Sequence, residues 1–152
     1  MPSLTPAEAK MLGRRAQQPV KAPGELLAIF VAGKLVNTKN ARLHYMAESR
    51  YKRGWRERVA LALFEHLGQH EYTRHKWYDA TTPKRIAFLA STAKAMDDDG
   101  LAVSIAPVRD ALIQCGVIHS DAPDSGHEFT YAQQIDRAHR GVTIRVSPRE
   151  PR

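Results

Sequence analysis

The sequence predicts an α+β domain, a small mixed β-sheet carrying two main helices. Three observations predict it. Short apolar runs at 26–31 and 86–90, and the alternation of Val142, Ile144 and Val146, have the length and pattern of strands. Trp55, Val59, Leu63 and Leu67 recur every four residues and lay one apolar stripe along a helix. Ile105, Val108, Leu112 and Cys115 do the same over a second, shorter segment. A chain of 152 residues suffices for one domain with a sizeable core.

Taken in order, residues 1–24 read as an N-terminal extension and 25–148 as the domain. In the extension, Thr5 can cap a short helix, Pro6 suits its first position and Glu8 completes a capping box. A Pro-containing linker follows, then a buried strand from Leu26 to Val31. Lys34 to His44 is a polar, basic loop. Residues 46–67 form the long helix, with Gly68 as its stop. A polar stretch leads to the strand Ile86–Ala90, which runs towards an acidic triplet. The second helix covers 104–115, with Ser104 as cap, Pro107 in the first turn and Gly116 as terminator. Val117-Ile118 is a short strand or turn. Residues 129–135 and 141–146 make a hairpin or two late strands.

Charge narrows the function. The chain carries +7, unevenly placed. Residues 34–58 hold eight basic residues against Glu48 and Glu57, a net +6. Residues 95–130 hold seven acids against Arg109, a net −6. One pole suits a polyanion and the other suits cations. The single cysteine, Cys115, excludes an internal disulfide and fits a reducing, cytoplasmic setting. No apolar run is long enough for a membrane helix, and the polar, proline-containing residues 1–25 do not read as a secretory leader.

The acidic run Asp97-Asp98-Asp99, followed by Asp121, is the chemical signal. Clustered carboxylates raise one another's pKa unless a cation compensates, and hard cations such as Mg²⁺ prefer oxygen ligands. If the triplet is extended, Asp97 and Asp99 face one side and Asp98 faces the other. The strand before it and Gly100 after it favour that geometry. A strand–helix–strand return would then carry Asp121 to the same place.

Asp97-Asp98-Asp99-Gly100-Leu101, then Pro107-Val108-Arg109-Asp110-Ala111-Leu112, then Gly116-Val117-Ile118-His119-Ser120-Asp121 resembles the RusA-like family of Holliday-junction resolvases, common in phages and prophages. The likeness covers residues 86–124 well and 26–67 loosely. It implies a small homodimeric endonuclease, dependent on Mg²⁺ (or Mn²⁺), that nicks branched DNA in recombination and repair. It places the catalytic, metal-binding carboxylates on Asp97, Asp99 and Asp121, and matches Asp110 to a helix aspartate. Two positions depart from the family pattern. Its asparagine is Gly100 here, and its lysine falls on Ala106 or Val103, leaving Arg109, Lys94 or a partner subunit as substitutes. That loss supports an alternative, a non-catalytic DNA-binding accessory protein of the same fold.

Phosphate contacts are expected from Lys39, Arg42, Arg50, Lys52, Arg53 and Arg56. Tyr51 is the candidate for stacking on unpaired bases, whereas Trp55 belongs to the core stripe. His119 reads as a polar rim residue beside the acids. His66, His70 and His75 are poorly spaced for zinc and lack clustered cysteines.

Overall fold

The computed structural model describes residues 18–38, 44–74 and 80–149, with the backbone alone described over 67–74. Six elements follow one another: β1 (Leu27–Ala32), α1 (Tyr45–Arg74), β2 (Lys84–Thr92), α2 (Asp98–Gln114), β3 (Glu128–Ile135) and β4 (Gly141–Pro148). The strands form one sheet in the order β1-β4-β2-β3. β4 runs antiparallel to both its neighbours, while β2 and β3 are parallel. The mixed sheet and the two helices match the class that the sequence predicts.

The inward face of the sheet is built by period-two alternation. Leu27, Ile29 and Val31 of β1, Ile86, Phe88 and Ala90 of β2, and Val142, Ile144 and Val146 of β4 are all buried. Ile144 sits opposite Ile29 on one side and Phe88 on the other. Both helices cover this face. α1 contributes Trp55, Val59 and Leu63, each fully buried, as the four-residue stripe requires. α2 contributes Leu101, Ile105, Val108, Ala111 and Leu112. Burying a side chain of this size is worth about 1.5–3 kcal/mol, so this common cluster is the main source of stability.

Three boundaries differ from expectation. α1 continues past Gly68 to Arg74; a glycine costs a helix interior only about 1 kcal/mol relative to alanine, which the rest of the helix can absorb. α2 begins at Asp98 rather than Ser104, because Asp97 is the better-placed cap. Ser104 is buried inside the helix and returns its hydroxyl proton to the Leu101 carbonyl at 2.8 Å. Pro107 therefore lies in the helix interior. The late strands are not a hairpin, since β2 lies between β3 and β4. Their connection, residues 136–140, must pass over the C-terminal end of β2. Gly116 does end α2: its φ of +81° carries the chain into a left-handed turn, and Val117 N–H bonds back to the Leu112 carbonyl.

The expected helix over Thr5–Arg15 lies outside the described residues. Residues 18–24 run beside β1, where the Gln18 amide both donates to Phe30 C=O and accepts from Phe30 N–H, at 3.1 Å each. Glu25 pairs with Arg145 at 2.7 Å. No helix among the described residues is long and apolar enough to cross a membrane.

Candidate nucleic-acid interface

The acidic triplet opens a helix instead of ending a strand. Asp97 has an extended backbone (φ −69°, ψ 166°), and its side chain accepts the Gly100 N–H at 2.7 Å. Asp98 and Asp99 fall in the first turn, exposed, where the helix dipole favours negative charge. The expectation that Asp97 and Asp99 project together from an extended segment is therefore corrected. One carboxylate is engaged with the backbone while the other lies on the helix surface. The approach to this cap is rigid. Gln133 of β3 accepts from Met96 N–H at 2.8 Å and donates to Met96 C=O at 2.6 Å. Asn37 closes the other side: a Cβ on Gly100 would lie 2.8 Å from its amide nitrogen and 2.6 Å from Asp97 Oδ1. Glycine at this position lets Asn37 and Asp97 pack against the helix start.

Asp121 belongs to the other end of α2. Its carboxylate accepts Arg109 Nε–H at 2.8 Å, while Arg109 Nη1 donates to the Tyr131 hydroxyl at 2.5 Å. The guanidinium also lies over the Phe129 ring, 5.8 Å from its centroid. Burial works against the Arg109 charge, but Tyr131 and Asp121 outweigh it, and its pKa rises above the ordinary arginine value. Arg109 is thus committed to a structural network and is not free to take the role that the sequence resemblance would give to a lysine. Twelve residues separate Asp97 from Arg109, about 18 Å along a helix axis at 1.5 Å per residue. An arginine side chain spans well under half of that. Asp97, Asp99 and Asp121 of one chain therefore do not gather around one ion. Among the described residues no three His, Cys, Asp or Glu side chains are grouped to hold a metal. A Mg²⁺ bound by all three acids within a single chain does not fit.

His119 stands in the same connection as Asp121 but faces elsewhere. Its Nδ1 is 2.9 Å from the Ala80 carbonyl and 3.1 Å from His127 Nε2. His127 is 6% exposed, and its Nδ1 accepts Lys84 N–H at 3.2 Å. An acceptor Nδ1 puts the neutral ring's proton on Nε2, towards His119. Burial, then His119, then Lys84 push the His127 pKa below the usual histidine value. This pair fastens the 119–127 connection to the start of β2. Sequence reasoning missed His127, because no local pattern links it to residues 80–84.

The basic residues divide. Arg50, Arg53 and Arg56 are exposed on α1, off the Trp55–Leu63 stripe, and Lys52 is exposed and paired with Glu48 at 3.4 Å. Lys39 and Arg42 lie outside the described residues. Tyr51 is corrected from a stacking residue to a bracket. Its hydroxyl accepts Val36 N–H at 2.9 Å and donates to Ser104 C=O at 3.0 Å, joining α1, the 33–38 segment and α2. Burial is the main cause of its raised pKa. Trp55 lies fully in the core, with Arg58 stacked 5.6 Å from its ring centroid. Asp110 is exposed on the outer face of α2, and Cys115 is half-buried against the core.

That outer face has a composition of its own. At roughly 100° per residue, Asp99, Ala102, Ala106, Arg109, Asp110 and Ile113 share about 100° of arc. All six are exposed or only partly covered. Short side chains occupy the middle of the face and acids stand towards its two ends. A comparison with models of known protein families finds no match, and neither does a comparison with the curated proteins.

Proposed function

We propose that this chain is a homodimeric endonuclease that nicks branched DNA, with each carboxylate site completed by two copies. The observation that carries the reading is the separation of the acids along α2. Asp99 stands at one end of its outer face, with the Asp97 cap just before the helix, and Asp121 is held by Arg109 towards the other. A two-fold axis through that face would run two copies of α2 antiparallel. It would set Asp99, with the Asp97 cap at the same helix end, against Asp121 of the partner subunit, twice. Ala102 and Ala106 at the middle of the face favour close approach of two helices. The resemblance to the RusA-like family also implies a two-fold protein, and two sites suit a junction with two symmetric strands. The basic surface of α1 supplies phosphate contacts in either copy.

Mixed dimers test this reading. Asp99→Asn and Asp121→Asn proteins should each fail to nick a four-way junction in Mg²⁺. Mixed and allowed to exchange subunits, they should regain activity, because one of the two sites in a mixed dimer is then intact. A mixture that stays inactive sinks the shared site, an Asp99→Asn protein with normal activity removes Asp99 from it, and a wild type that does not nick sinks the nuclease reading.

A second reading has its own support. The Arg109–Asp121 ion pair neutralises the acid that the nuclease needs. A junction-binding accessory protein without cleavage is then the function. Tight junction binding by the wild type, with no nicking in Mg²⁺ or Mn²⁺, selects it.

A further inference from the structure

We propose that the cleft between residues 34–35, the end of β2 and residue 140 is the track for a single, unpaired DNA strand. The inference rests on the DNA-binding reading and holds for both its catalytic and non-catalytic forms. The cleft has a volume of about 430 Å³ and brings together Lys34, Lys94 and Arg140, with Leu35 and Met96 also in its wall. Among the described residues no carboxylate lines it, and none of the three cations is in an ion pair. Three uncompensated cations converging from three separate segments make a site for phosphate. Apolar side chains between them suit the sugar and base that a phosphodiester carries, and inorganic phosphate has no use for them.

Size decides the form of the DNA. A cleft of this volume lies in the range of small-molecule sites and admits one nucleotide unit. A duplex, with its bases turned inward, presents only its outer phosphates to such an opening.

The backbone behind each cation is fixed. Gly33 N–H bonds to Arg140 C=O at 3.1 Å, which ties Lys34 and Arg140 together. Thr92 Oγ1 donates to Lys94 C=O at 2.9 Å, and the Gln133 clamp holds Met96 two residues further on. The β3–β4 connection, forced across the end of β2 by the strand order, is what delivers Arg140. The backbone that carries the three charges is therefore preorganised, and binding has only the exposed side chains left to order. The cleft also ends at Met96, one residue before the Asp97 cap. A strand lying in it would pass beside the acidic start of α2.

The experiment compares two triple variants, Lys34→Gln/Lys94→Gln/Arg140→Gln and Arg50→Gln/Arg53→Gln/Arg56→Gln. Each is titrated by fluorescence anisotropy against a labelled single strand and a duplex of the same sequence, over a series of salt concentrations. The cleft variant should lose tenfold or more for the single strand and much less for the duplex. Its plot of log affinity against log salt for single strands should flatten by about 0.7 for each phosphate no longer neutralised. The α1 variant should weaken both DNA forms alike. All six side chains are exposed, so melting temperatures should hold and confirm folding. Equal loss on both forms, or none on the single strand, overturns the cleft while DNA binding stands. A wild type that binds neither DNA form overturns the DNA reading and the cleft with it.

Discussion

Asp97 has two roles that a pair of substitutions separates. As a cap it contributes one hydrogen bond, 2.7 Å, to the amide of buried Gly100. Asp97→Ala removes that acceptor. Loss of a cap typically costs about 1 kcal/mol, and leaving the Gly100 amide without a partner adds to it, so about 1–2 kcal/mol is expected. For a domain of this length that lowers the melting temperature by roughly 2–8 °C. Asp97→Asn keeps a side-chain oxygen in place, and asparagine caps as well as aspartate, so its stability should stay within about 0.5 kcal/mol of wild type. The same change removes the charge. In the nuclease reading Asp97→Asn therefore folds normally and does not cut, whereas Asp97→Ala is both unstable and inactive. Calorimetry and urea unfolding read the first effect, and junction nicking reads the second. An Asp97→Asn protein as unstable as Asp97→Ala would refute the capping argument. A stable Asp97→Ala would refute it too.

Two further outcomes follow from side chains that the fold uses structurally. Tyr51→Phe should destabilise by about 1–2 kcal/mol, because Val36 N–H and Ser104 C=O lose their shared partner. Phenylalanine keeps the ring and removes only the hydroxyl, so an unchanged stability in urea unfolding would refute the bracket. His127 titrates below its unfolded value of 6.5 because it is buried beside His119 and Lys84. The unfolded chain then binds the proton more readily than the native one, so this contribution is complete above pH 6.5 and declines as pH falls through that value. Urea unfolding at about pH 7.5, 6.5 and 5.5 should show less of this decline in His127→Gln than in wild type; an equal decline would place the sensitivity elsewhere.

Local patterning was enough to lay down the layers of this protein. Alternation at Val142–Val146 and four-residue recurrence at Trp55–Leu63 are direct consequences of strand and helix geometry, and they survive in the core unchanged. Charge placement likewise marked α1 as a basic surface. Local pattern was ambiguous at Asp97–Asp99, where three aspartates suit an extended turn and a capped helix start equally. The choice was made by Gln133, from the far strand, holding Met96, and by Asn37 closing on Gly100. Tyr51 between bases in the sequence looked available, until its hydroxyl found Ser104 across the helix pair. The Arg109–Asp121–Tyr131 network and the meeting of Lys34, Lys94 and Arg140 carry no local signature at all. They exist because β3 pairs parallel to β2 and the chain then crosses the end of β2 to enter β4. Neighbours of that kind depend on strand order, which only the packed sheet decides.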